Sequence, residues 1–212
     1  MRHLFYWFFV ITAYPIYGTI FRTKLYYEDR SVQGRRIRKR TVVVSNHRKL
    51  FDYVAFLLAT VPRFSHPLVA EVLYHRNRVL DFLLSAIGSI EVDRETHTTN
   101  ALVKSIQALK KGQVLYVNAE GRLPLEGETD VNPFNPGFVV MALKTGAQVV
   151  PVFTNGMNFT RHRVRMMIGK PIDVQSLYDE SLGLRENTVI IAETVRRKVV
   201  ELGVLLEERT RR

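Results

Sequence analysis

The apolar pattern along the chain changes period repeatedly, and each change marks an element. Residues 41–45 (TVVVS) are continuously apolar and β-branched, as in a strand buried on both faces. Residues 52–60 read as a short helix, 67–70 as a short apolar stretch, and 71–86 carry helical periodicity. A strand is expected at 89–92, and a helix at 97–111 stopped by Gly112. Further on, 113–117 reads as a strand, 136–145 as a helix ended by Gly146, and 148–153 and 164–168 as strands. A long helix is expected over 186–208, followed by a frayed basic tail at 209–212. Pro151, inside an apolar run, belongs at an edge, a bulge or a strand end. Strands alternating with helices give an α/β class: one domain with a mixed sheet flanked by helices on both faces.

The N-terminal segment has a different pattern. Residues 4–20 hold no charge and are rich in aromatics, with Arg2 and His3 before them and Arg22 and Lys24 after. This run is at the short end of the roughly 17–25 residues that cross a bilayer. Its rings suit the headgroup boundary, and Pro15 would kink a helix there. Arg35, Arg36, Arg38, Lys39 and Arg40 then form a cation cluster of the kind that attracts anionic lipid by about 1 kcal/mol per charge. Residues 1–40 are therefore expected to be an aromatic and basic anchoring segment with a membrane-associated helix, and 41–212 the α/β domain. The anchor is expected to lie in or dip into one leaflet, with a full span as the second reading; a buried core helix is the competing structural reading.

Composition narrows the partners. The 212 residues carry a formal net charge of +11, which implies a negative partner, either nucleic acid or anionic lipid. No zinc-finger, RRM or helix-turn-helix signature accompanies that charge, so no nucleic acid is expected. The chain has no cysteine, which excludes disulfides and thiolate metal sites.

Four short blocks carry candidate chemistry. His47 follows the apolar strand 41–45, and Asp52 lies five residues on at the start of the next helix. If the turn curls, the carboxylate accepts one imidazole N–H and leaves the other nitrogen to take a proton from a hydroxyl. Arg94 ends the run Gly88–Arg94 (GSIEVDR), where a guanidinium can hold a phosphate through two bonds. Glu120, Gly121 and Arg122 follow the strand at 113–117: the glycine permits a tight turn, Glu120 can bind an acceptor hydroxyl, and Arg122 a phosphate oxygen. The fourth block is Val149-Val-Pro151-Val. No G-x-S-x-G elbow is present, which disfavours an esterase.

In this order, H-x4-D, G-x-I-x-V-D-R, E-G-R and V-P-V, the blocks resemble those of the glycerolipid acyltransferases, especially bacterial 1-acylglycerol-3-phosphate acyltransferases. The resemblance runs from about Val42 to Pro171 and includes FNPGF at 134–138. It implies an α/β acyltransferase fold with an amphipathic N-terminal membrane element on the cytoplasmic face of the cell membrane. It implies transfer of a fatty acyl group from acyl-CoA or acyl-carrier protein to the hydroxyl of a 1-acylglycerol-3-phosphate or related lysophospholipid, with no metal and no bound cofactor. Under it His47 and Asp52 are the catalytic dyad, and Arg94, Glu120, Gly121 and Arg122 bind substrate. The third block departs from the usual F-P-E-G-T-R: Asn118 and Ala119 replace Phe and Pro, and Arg122 follows the glycine directly.

Overall fold

The computed structural model describes residues 11, 12, 15, 18–37, 40–60, 65–74, 77–92 and 99–211. Seven strands form one mixed sheet: β1 (Lys24–Tyr27), β2 (Thr41–Ser45), β3 (Ser65–Ala70), β4 (Ile90–Val92), β5 (Val114–Asn118), β6 (Gln148–Thr154) and β7 (Arg165–Ile168). Their order is β1-β7-β6-β2-β5-β3-β4. From β6 to β4 every neighbouring pair is parallel; β7 runs antiparallel to β6, and β1 parallel to β7. The helices are α1 (Asp52–Thr60), α2 (Arg78–Ala86), α3 (Thr99–Lys110), α4 (Gly137–Thr145) and α5 (Leu184–Arg211).

The TVVVS run forms the centre of the sheet, and all five of its residues are buried. Its side chains alternate between two cores. Val42 and Val44 join Leu115, Val149 and the apolar faces of α3, α4 and α5. Val43 joins Val114, Tyr116, Val150 and Val152 under α1, whose Tyr53, Phe56 and Leu57 cover the opposite face. Burial on both faces is why this strand reads as an unbroken apolar run instead of an alternating one.

Several expectations change in detail. The helical pattern at 71–86 splits into a 3-10 turn at Glu71–Leu73 and α2, which Asn77 caps by accepting the Val79 N–H at 2.7 Å. The tail at 209–211 is not frayed: α5 continues through Arg211, and Arg209 donates to the carbonyl of Tyr27. Pro151 sits in an interior strand, where the Gly169 N–H donates to its carbonyl at 2.9 Å just beyond the end of β7. The missing proline N–H therefore faces a gap in the β6–β7 ladder, which resumes at the Val149–Ile172 bridge.

β1 lies inside the segment read from sequence as an anchor, and joins the sheet edge through Tyr27↔Ile168. Most of the apolar run at 4–20 is outside the described residues; of those described, Ile11, Thr12, Pro15 and 18–21 are helical. Among the described residues no helix is long and apolar enough to cross a membrane, so the expected N-terminal membrane helix finds no support there.

Candidate active site

β2, β5 and β6 run parallel and adjacent, so their carboxyl ends open at one edge of the sheet, where α/β proteins place their sites. His47 leaves β2 at this edge, Glu120 leaves β5, and the segment 155–163 leaves β6. Ser45 pairs with both Asn118 and Val152, which fixes the three exits side by side.

The turn after β2 wraps around one carboxylate. Asp52, fully buried, accepts the Arg48 N–H at 2.7 Å and the Lys49 N–H at 2.8 Å on Oδ2. The His47 Nδ1 stands 3.4 Å from the same oxygen. That is longer than an ordinary N–H···O hydrogen bond. The His47 side chain keeps 14% of its surface exposed, so one edge of the ring remains open to a reactant. A tautomer with Nδ1–H directed at Asp52 leaves the Nε2 lone pair free to accept a proton. Tyr116 lies beneath in the core; burial and the nearby Asp52 charge raise its phenol pKa well above the usual value, so it stays protonated.

The third block supports the turn. The His47 N–H donates to Glu120 Oε1 at 2.7 Å, while the Asn132 N–H and Nδ2 donate to Glu120 Oε2 at 3.0 and 2.9 Å. Gly121 makes this reach possible: its φ of +68° turns the chain immediately after Glu120, and its N–H closes on the Asn118 carbonyl at 3.1 Å. Arg122 points its guanidinium at Glu128, with two bonds of 2.7 and 2.9 Å, and reaches Asn132 Oδ1 at 3.0 Å. The structure thus brings His47, Asp52, Glu120 and Gly121 together and ties Arg122 to its own loop. Arg94 lies outside the described residues. The amides of His47, Arg48 and Lys49 are all committed to carboxylates, which leaves none of the three for an oxyanion.

The Arg122 bond pulls the Glu128 carboxyl from the usual 4.5 to about 2, aided by the Leu125 N–H. A depressed carboxylate pKa means stability that is fully present above the unfolded value and is lost as pH falls through the folded one. Thermal melts should therefore show this contribution intact above pH 4.5 and fading toward about 2. Glu128→Gln should flatten that part of the acid limb; an unchanged limb would mean the pair contributes nothing.

A third support escapes sequence reading. The Asn46 side chain bonds Thr154 twice, donating to its carbonyl at 3.0 Å and accepting its N–H at 2.8 Å. Gly156, at φ +64°, passes so close to Arg48 that an added Cβ would stand 2.2 Å from the Arg48 Cβ. Asn158, only 5% exposed, donates Nδ2 to Asp52 Oδ1 at 2.8 Å. Phe159, held at φ +58°, packs edge-to-face on Phe51 and at a tilt on Phe21, with ring centres 4.9 and 5.2 Å away. No sequence spacing links residue 158 to residue 52; the Asn155-Gly156 pair marks a turn and says nothing of Asp52. Asn158→Ala strands one buried carboxylate oxygen and should lower unfolding stability by about 1–3 kcal/mol, read from a urea midpoint. A midpoint equal to wild type would show the bond to be dispensable.

Comparison with known proteins gives consistent results. A 1-acyl-sn-glycerol-3-phosphate acyltransferase of Streptococcus pneumoniae is 26% identical over 141 residues, which is 64% of this chain and 51% of that protein. The chain spans about half the length of this curated relative. The crystal structure of the 1-acyl-sn-glycerophosphate (LPA) acyltransferase PlsC from Thermotoga maritima matches with a TM-score of 0.62 and 23% identity, covering 91% of this chain and 78% of that one. That likeness establishes the fold. The acyltransferase family model matches residues 26–155, which include β2, the dyad and the Glu120 turn, and the chain belongs to that family.

Proposed function

We propose that the protein is an O-acyltransferase that moves a fatty acyl group from acyl-CoA or acyl-carrier protein to the free hydroxyl of 1-acylglycerol-3-phosphate or a related lysophospholipid. The observation that carries this reading is the His47–Asp52 pair, placed at the end of a central strand in a chain of the acyltransferase family. His47 Nε2 takes the hydroxyl proton as that oxygen attacks the thioester carbonyl. Collapse of the adduct forms the ester and expels the thiolate, which receives the proton from His47. Asp52 stabilises the imidazolium in between, with no protein nucleophile required. No metal or bound cofactor enters these steps.

Glu120 and Gly121 serve this chemistry by holding the His47 amide, and the acceptor phosphate falls to Arg94 and Arg122. For Arg122 that role requires exchanging Glu128 for the phosphate. The enzyme works at the cytoplasmic face of the membrane, where its donors are soluble and its acceptor is in the lipid. Leu50, Phe51, Met157 and Phe159 are exposed on the two loops that carry the dyad and its Asn158 support, which suits contact with an apolar phase. The test is acyl transfer to lysophosphatidate by purified protein in mild detergent, with each donor offered separately. Turnover supports the assignment. If there is none with either donor while glycerol 3-phosphate or another lysophospholipid is acylated, the acceptor is reassigned. No transfer to any of these would refute it.

A further inference from the structure

A groove of about 410 Å³ lies between β1, the start of the segment that follows it, and the end of α1. β1 runs antiparallel to β2, so the groove's upper end, at Phe21 and Arg22, is at the same edge of the sheet as His47. Phe21 is the shared wall, with its ring 6.5 Å from that of Phe51.

Three guanidiniums line this groove, from Arg22, Arg30 and Arg35, and none of its described lining residues is acidic. Among the described residues no carboxylate is ion-paired with any of the three. The acids next in the chain are engaged elsewhere: Glu28 with Lys198 at 2.8 Å, and Asp29 with Ser31 and Lys170. Arg35 is fixed through Nε to the Ala59 carbonyl at 2.8 Å, and Arg30 stands over the Tyr27 ring at 5.7 Å. The Tyr27 phenol registers both charges: burial raises its pKa, and Arg30 and Arg35 oppose the rise. Thr23 adds a buried hydroxyl with no hydrogen-bond partner among the described residues.

Backbone strain points the same way. Arg22 closes the helical turn at 18–21, its N–H bonded to the Gly18 carbonyl at 3.2 Å, with φ at +45°. Glycine is the relaxed residue at such a left-handed helix end, and a side-chain-bearing residue there is strained. The chain holds a strained arginine at the mouth of a groove already carrying two more. Guanidiniums that line one groove without counter-charge favour an oxyanion that can accept paired N–H bonds, and phosphate has that geometry. Phe21, Leu25 and Leu58 make the remaining wall apolar, which suits a phosphate attached to an amphiphile.

We propose that this groove is a binding site for the phosphate of a membrane phospholipid headgroup, held by Arg22, Arg30 and Arg35 beside the catalytic edge. The site is distinct from the acceptor-phosphate residues proposed above, and rests on the membrane attachment of that reading but not on its acyl transfer. It docks the protein so that the His47 edge faces the lipid surface.

The test is flotation with phosphatidylcholine vesicles, with and without phosphatidic acid, for wild type, Arg22→Gly, Arg30→Gln/Arg35→Gln, and Lys110→Gln/Lys111→Gln. The lysine pair removes equal charge at the opposite end of the sheet, where α3 leads into β5. The arginine pair should weaken binding to the phosphatidic acid vesicles by about tenfold or more, and Arg22→Gly by about fivefold, with the lysine pair within about twofold of wild type. Arg22→Gly should melt no lower than wild type, because it relieves the positive φ; its binding loss is therefore no folding defect. Equal losses in the arginine and lysine variants would overturn the proposal in favour of a diffuse basic surface. Wild type that binds no vesicle would overturn it together with the membrane reading. If inorganic phosphate raises the melting temperature of wild type and not of Arg22→Gly while vesicles do not bind, the ligand is a soluble phosphate and the lipid assignment fails.

Discussion

His47→Ala should reduce acyl transfer by about 10²–10⁴-fold with little change in melting temperature, because it removes the general base and nothing that the fold requires. The support of the turn does not pass through the imidazole. The His47 amide is held by Glu120, and the following two amides by Asp52. The ring makes one long contact, at 3.4 Å, and is partly open to solvent. Loss of rate without loss of stability separates a base from a structural histidine; a histidine that merely satisfied the turn would show the reverse. Initial rates with each donor, beside a thermal melt, decide the matter, and a variant that turns over like wild type would sink the mechanism.

Parts of this fold and site were legible in the sequence wherever a local pattern matched the tertiary environment. The TVVVS run is apolar on both sides because it is buried on both sides, and the His47–Asp52 spacing places a carboxylate at a helix start where it can turn back on the loop. β1 was not legible: KLYY has ordinary local character and becomes a strand by pairing with β7, far along the chain. The same holds for the end of α5, where Arg209 gains a partner in the Tyr27 carbonyl. The third block was read for its charges, yet Glu120 spends both oxygens on His47 and Asn132, and Arg122 spends its fork on Glu128. A motif names residue types; it does not state which neighbours reach them first. The Asn46, Gly156 and Asn158 supports all depend on β6 lying beside β2, and that adjacency exists only once the sheet is formed.

These supports make Asp52 the residue whose substitution separates geometry from charge. Its carboxylate takes four contacts: Arg48 N–H, Lys49 N–H and His47 Nδ1 on Oδ2, and Asn158 Nδ2 on Oδ1. Asn158 Oδ1 has no hydrogen-bond partner among the described residues. In Asp52→Asn the new carbonyl oxygen can replace Oδ2 and keep its three contacts. The new NH₂ then meets Asn158, whose amide can rotate to present its unused oxygen. Every hydrogen bond survives with one donor and one acceptor exchanged, so the stability loss should be only about 1 kcal/mol. What disappears is the negative charge that stabilises the imidazolium, and the rate should fall by about 10²–10⁴-fold. Asp52→Ala should lose both rate and fold, since it strands buried donors at about 1–3 kcal/mol each. A denaturant midpoint and kcat measured on the two variants distinguish these effects. If Asp52→Asn kept the wild-type kcat, the carboxylate would be a loop support alone and His47 would act without a charged partner.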